Sequence, residues 1–126
     1  MTDVYQPGVC NIGPAEIRAR RRIGVVGLVG TVVLLVVFVA FSVPDSWRAV
    51  ILLPAGAGAA GFLQSALHFC ARFGMSGMFN FGDDLSQQET VYEAEYRRKD
   101  QRKAIAILVG TVLIAVVVLA IALLLP

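Results

Sequence analysis

At 126 residues the chain has room for one domain at most. Its hydrophobic fraction of 57% and mean hydropathy of +0.73 exceed what a small soluble core needs. Net charge is only +2, yet ten of the eleven basic residues flank the apolar blocks on one side, which fits membrane topology better than nucleic-acid binding.

Residues 1–13 are polar and broken by Pro7, Gly8 and Gly13, so they read as irregular within an N-terminal segment over 1–22. Gly13-Pro14 followed by Glu16 predicts a helix start, since proline suits the first helical position and a carboxylate there favours the dipole. Glu16 stands four residues before Arg20, the favourable order for an ion pair. The helix should run through Arg18, Arg20, Arg21 and Arg22 into a first span over 23–43. Ala40-Phe41-Ser42 resembles a signal-cleavage triplet, but the run is too long for a signal h-region of about 7–15 residues. Pro44-Asp45 predicts the stop, and Trp47 is placed to anchor an interface.

A second span is expected over 49–69. Behind Pro54 it holds seven consecutive small residues, Ala55 to Gly61, with small-xxx-small spacing at Gly56/Ala60 and Ala57/Gly61. In lipid such surfaces let backbones approach closely, so this helix is expected to be the central packing element, with Gln64 on the same face. Pro54 leaves the carbonyl four residues back without its partner and should distort the helix.

Residues 70–82 are rich in glycine and aromatics, which predicts a loop lying in the interface or packed under the bundle. Asp83 and Asp84 read as helix-opening carboxylates, and Ser86 with Glu89 fits a capping box. A helix over 86–103 should continue into a third span over 104–125, forming a rod of about 55–60 Å from Gln87. Leu85, Tyr92 and Tyr96 would then form an apolar stripe for a partner. The expected fold is an all-α integral membrane protein with three transmembrane helices and a cytosolic helical extension of the third. The basic residues place the N-terminus in the cytoplasm and the C-terminus outside.

The chain also echoes itself. Gly8-Val-Cys-Asn-Ile-Gly13 resembles Gly77-Met-Phe-Asn-Phe-Gly82, and Leu28–Val37 matches Leu108–Val117 at seven of ten positions. Each Asn-apolar-Gly element precedes a helix, which makes Asn11 and Asn80 turn formers.

Cys10, His68 and Cys70 are the residues whose chemistry suits a metal ion or haem. Against that, His68 and Cys70 are two apart, so on a helix they point about 200° from each other, and no CxxC accompanies them. Both cysteines fall on the reducing side, which argues against a disulfide. No catalytic constellation is present, and no cofactor is the leading expectation.

The Asn-apolar-Gly turn, the arginine run and the glycine-bearing span, Asn11 to Gly30, resemble the opening of small bacterial inner-membrane proteins. That resemblance implies location and no activity. The reading that follows is a structural or accessory membrane protein, working as a homo-oligomer or within a larger membrane complex. The alternatives are a redox protein using Cys10, His68 and Cys70, or an oligomeric channel lined by the glycine-rich span.

Overall fold

The computed structural model describes residues 5–82, 85–86 and 88–126. The chain is mostly helical, and three stretches are long and apolar enough to cross a membrane: Pro14–Ala40, Asp45–Leu67 and Ala94–Leu124.

The first, α1 (Pro14–Ala40), starts where the sequence predicts, with Pro14 at its opening and Glu16 in its first turn. It ends in a turn at Phe41 and Ser42, where Ser42 takes a positive φ of 49° and Val43 N–H bonds back to Phe38 O. The second stretch is composite. A single turn, α2 (Asp45–Arg48), passes through a 3-10 turn (Ala49–Ile51) into α3 (Leu52–Leu67). The tighter winding falls just before Pro54, where the missing N–H denies Val50 its i+4 partner, so the expected distortion is present in this form.

α3 stops at Leu67, two residues short of the expected end of its span, because His68 takes a left-handed conformation (φ 53°, ψ 41°). Residues 70–82 are not a plain loop. They hold α4 (Ala71–Ser76) and β1 (Met78–Phe79), joined at Gly77 with φ 74°.

The expected helix over 86–103 is corrected at its start. Glu89 and Thr90 form β2, antiparallel to β1 with Met78 opposite Thr90, and Val91 N–H bonds to Gly77 O. This pairing satisfies backbone that a capping box would have committed to helix. The helix α5 therefore spans Ala94–Leu124, about 46 Å of rod rather than 55–60. Asp83, Asp84 and Gln87 lie outside the described residues. The small sheet also qualifies the all-α expectation.

Two sets of packed side chains fix the directions of the helices. Phe38 near the end of α1, Ile51 ahead of α3 and Ala122 near the end of α5 pack together. At the other end Ile17 of α1 meets Phe73, and Phe69 meets Ala104 and Ile107 of α5. So α1 and α5 run the same way and α3 runs against both, packing on each.

The α1–α3 crossing is the closest approach. A Cβ on Gly27 would sit 2.4 Å from Gly58 N, and one on Gly61 would sit 2.4 Å from Gly24 N. Small residues thus do set this contact, as expected, but on a shifted face. Gly61 belongs to it, whereas Gly56 faces open space and Ala57 is exposed. Gly24 and Gly27 of α1 choose the partners, and they select Gly58 and Gly61, three apart.

Candidate functional site: the polar web at the basic end

The end of the bundle carrying Arg18 to Arg22 and Arg97 to Lys103 holds most of the buried polar side chains. Its organiser is Asn11, fully buried. Asn11 Oδ1 accepts from Cys70 N–H at 2.7 Å, and its Nδ2 donates to Cys70 O at 3.1 Å. One amide therefore satisfies both backbone groups of a residue 59 positions away, as a strand neighbour would. Asn11 N–H also donates to His68 O at 3.2 Å. Asn11 is a long-range tie, not the local turn former expected of it.

Asn80 does form the local turn, accepting Gly82 N–H on Oδ1 at 2.9 Å. Its N–H donates to Asn11 O and its carbonyl accepts from Gly13 N–H, at 3.0 and 2.8 Å. The two look-alike segments thus lie side by side, bridged in parallel at Ile12 and Asn80. Asn80 Nδ2 reaches Glu16 Oε1 at 3.4 Å. Arg20 Nη2 lies 3.1 Å from Glu16 Oε2 as an ion pair without hydrogen-bond alignment, and donates to Cys70 Sγ at 2.9 Å. The expected Glu16–Arg20 pair is therefore present, with Glu16 buried and Arg20 partly so.

A second tie closes the N-terminal segment onto α5. Asp100 is 0% exposed, accepting Tyr5 O–H at 2.5 Å on one oxygen and Gly8 N–H at 2.8 Å on the other. The Tyr5 ring stacks on Phe79 with centroids 4.9 Å apart. Burial, then the hydrogen bond to Asp100 and its negative charge, push the Tyr5 phenol well above its ordinary range. Sequence reasoning missed Asp100, which looks like one more charge in a charged helix. The only available signal was its sign, an acid in the run Arg97-Arg98-Lys99-Asp100-Gln101-Arg102-Lys103.

The proposed ligand trio does not assemble. Cys70 is buried against Arg20, Cys10 Sγ faces Ile12 O at 3.6 Å, and His68 contributes its backbone oxygen to Asn11. Among the described residues no three His, Cys, Asp or Glu side chains form a group that could hold a metal ion. Gln64 donates to Ala60 O at 3.0 Å and accepts Ala71 N–H at 2.9 Å, which joins α3 to α4. Leu85, Tyr92 and Tyr96 do not make a helical stripe: the first two lie before α5 starts, and Tyr96 turns its ring towards Tyr5 at 6.3 Å.

The opposite end has one polar centre, also missed. Arg48 is 3% exposed. Its Nη1 donates to Ala122 O and Leu125 O, its Nη2 to Pro126 O and its Nε to Val43 O. The guanidinium also stands 5.8 Å from the Phe38 ring centroid. A cation here meets the negative end of the α5 dipole and its orphan carbonyls.

The fold is that of a three-helix bundle suited to crossing a membrane several times. Compared with protein-family models, with curated proteins and with solved structures, the chain matches none.

Proposed function

We propose that this chain is a small accessory protein of the bacterial inner membrane, with its basic end in the cytoplasm, that works by packing against a transmembrane helix of a partner or of a second copy. The observation that carries this reading is a groove of 370 Å³ along α3, small-floored at Ala55, Gly58 and Ala59 and bulkier at Phe62 and Leu63. Leu28 and Thr31 of α1 form one wall and Ile114 and Val118 of α5 the other, over Ala55, Gly58 and Ala59. Small residues on the floor let another backbone come close, and packing is what drives helix association in lipid.

The use of the polar groups supports the same reading. Asn11, Asn80, Asp100 and Arg48 are buried inside the bundle, and the outward helix faces are Val, Leu and Ile. Gly61 of α3 is covered by Gly24 of α1, which removes it from any pore lining. The ten basic residues at one end support a cytoplasmic position for it.

The test is photo-crosslinking in native membranes from Ile114 on the groove wall, with an outward position, Val112, as control. A crosslink to one protein or to a second copy, made from Ile114 and absent from Val112, supports the reading. A protein that stays monomeric and partnerless in mild detergent, with no crosslink from the groove, overturns it.

A further inference from the structure

A second groove lies on the other side of the α1–α3 crossing, and unlike the first it is charged at one end. It measures 540 Å³ and opens along Val26, Gly27 and Gly30 of α1, facing Leu53, Pro54 and Ala57 of α3. Arg22 closes it towards the basic end. There it continues, through the shared Arg22 and Val26, into a shallower hollow bordered by Arg18 and Arg21.

Arg18, Arg21 and Arg22 are exposed. The ion pairs formed among the described residues are Glu16 with Arg20 and Asp45 with Arg48, so among those residues these three guanidiniums have no carboxylate partner. Three exposed cations within about 6 Å of helix rise suit a phosphate, which a guanidinium binds in a forked geometry.

The cationic end, which the first groove lacks, decides for a lipid over a helix as occupant. From Arg22 to Gly30 the groove follows α1 for about 12 Å, most of one leaflet of roughly 15 Å. A groove with cations at the headgroup level and an apolar trough reaching towards the midplane matches one acyl chain hanging from an anionic head. The missing bulk at Gly30 and Ala57 gives that chain its room.

We infer that the Arg18–Arg21–Arg22 face and the adjoining groove bind one anionic phospholipid, headgroup on the arginines and one acyl chain along Gly27, Gly30 and Ala57. The inference rests on the membrane reading above, since the arginines must stand at headgroup level. It does not depend on which partner fills the first groove.

The test uses the full chain in detergent, titrated with dioleoylphosphatidylglycerol or dioleoylphosphatidylcholine and read by native mass spectrometry. One phosphatidylglycerol should bind about tenfold or more tightly than phosphatidylcholine, since each basic residue near the headgroups contributes roughly a fivefold factor. The triple change Arg18→Gln, Arg21→Gln, Arg22→Gln should abolish that preference. Ala57→Leu, which fills the trough and leaves the charges, should weaken binding by about threefold to tenfold. Glycerol phosphate, a head without chains, should not compete. Equal binding of the two lipids, or a preference that survives the triple change, overturns the lipid site. Competition by glycerol phosphate, or unchanged binding in Ala57→Leu, overturns the acyl-chain half and leaves an anion site only. A chain washed from membranes by alkaline carbonate overturns the membrane reading itself, which separates the two failures.

Discussion

The two ends of the bundle solve one problem in opposite ways. Each must satisfy backbone groups where helices stop in a region short of water. At the Arg48 end a single guanidinium reaches four carbonyls, one in the last turn of α5 at Ala122 and two just past it at Leu125 and Pro126. At the basic end the same need is met by a web, in which Asn11 holds Cys70, Asn80 holds Gly82 and Asp100 holds Gly8. One end depends on one residue, and the other is distributed over segments up to 95 positions apart. Concentrated ties should fail abruptly on mutation, whereas distributed ones should fail by degrees.

The largest effect is therefore expected from Arg48→Ala. Hydrogen bonds from a charged donor contribute about 1.5–3 kcal/mol each and do not add fully, so the loss should be about 3 kcal/mol or more. Hydrogen exchange should rise over the last turn of α5 and not at Asn11. Arg48→Met separates two explanations, because it keeps apolar volume and discards the carbonyl ties. A stability equal to wild type in Arg48→Met would mean that packing, not capping, holds this end.

Next comes Asn11→Ala, which strands the buried N–H and C=O of Cys70. Each unsatisfied buried group costs about 1–3 kcal/mol, and local relaxation should hold the total near 2 kcal/mol in denaturant titrations. Exchange should rise at Cys70 and Ala71, with the end of α5 unchanged. A loss larger than that of Arg48→Ala would reverse the contrast between the ends. Asp100→Asn should cost less, about 1 kcal/mol, since its amide oxygen can still accept from Gly8 N–H. Its signature is release of the N-terminal segment, read as faster proteolysis ahead of Pro14.

The contrast between the ends also marks what could be read from the chain. The three apolar stretches were legible because length and hydropathy suffice for a crossing helix. Pro14, Glu16 and the distortion near Pro54 were legible because their causes are local. Arg48 was legible only as the odd charge out of eleven, since apart from Val43 its carbonyl partners lie 74 to 78 residues away. The small-residue face of α3 was read on that helix alone, which gave Gly56/Ala60 and Ala57/Gly61. The register belongs to the pair, and Gly24 and Gly27 select Gly58 and Gly61. The start of α5 failed for a similar reason: Ser86 and Glu89 fit a capping box, but a strand pairing with Met78 and Phe79 takes that backbone first. The echo of Asn11 in Asn80 was visible in sequence, whereas their direct pairing required the fold.

The smallest effect tests the outermost strand of the web. Tyr5→Phe removes one hydrogen bond to Asp100 and keeps the ring stacked on Phe79. Because the phenol is only partly buried, solvent screens the loss, which should be about 0.5–1 kcal/mol near pH 7. The sign of its pH dependence follows from the raised phenol. The folded chain holds the Tyr5 proton more tightly than the unfolded chain, whose tyrosines titrate near pH 10. The contribution is complete below that pH and is lost as the pH climbs above it towards the folded value. The stability gap between wild type and Tyr5→Phe should therefore stay constant from pH 6 to about 9 and close above about 10. Tyr92 and Tyr96 are common to both chains and cancel in the difference. A gap that persists unchanged well above pH 10 would show that the Tyr5–Asp100 contact adds nothing to the web, leaving Gly8 as the only tie of this segment to Asp100.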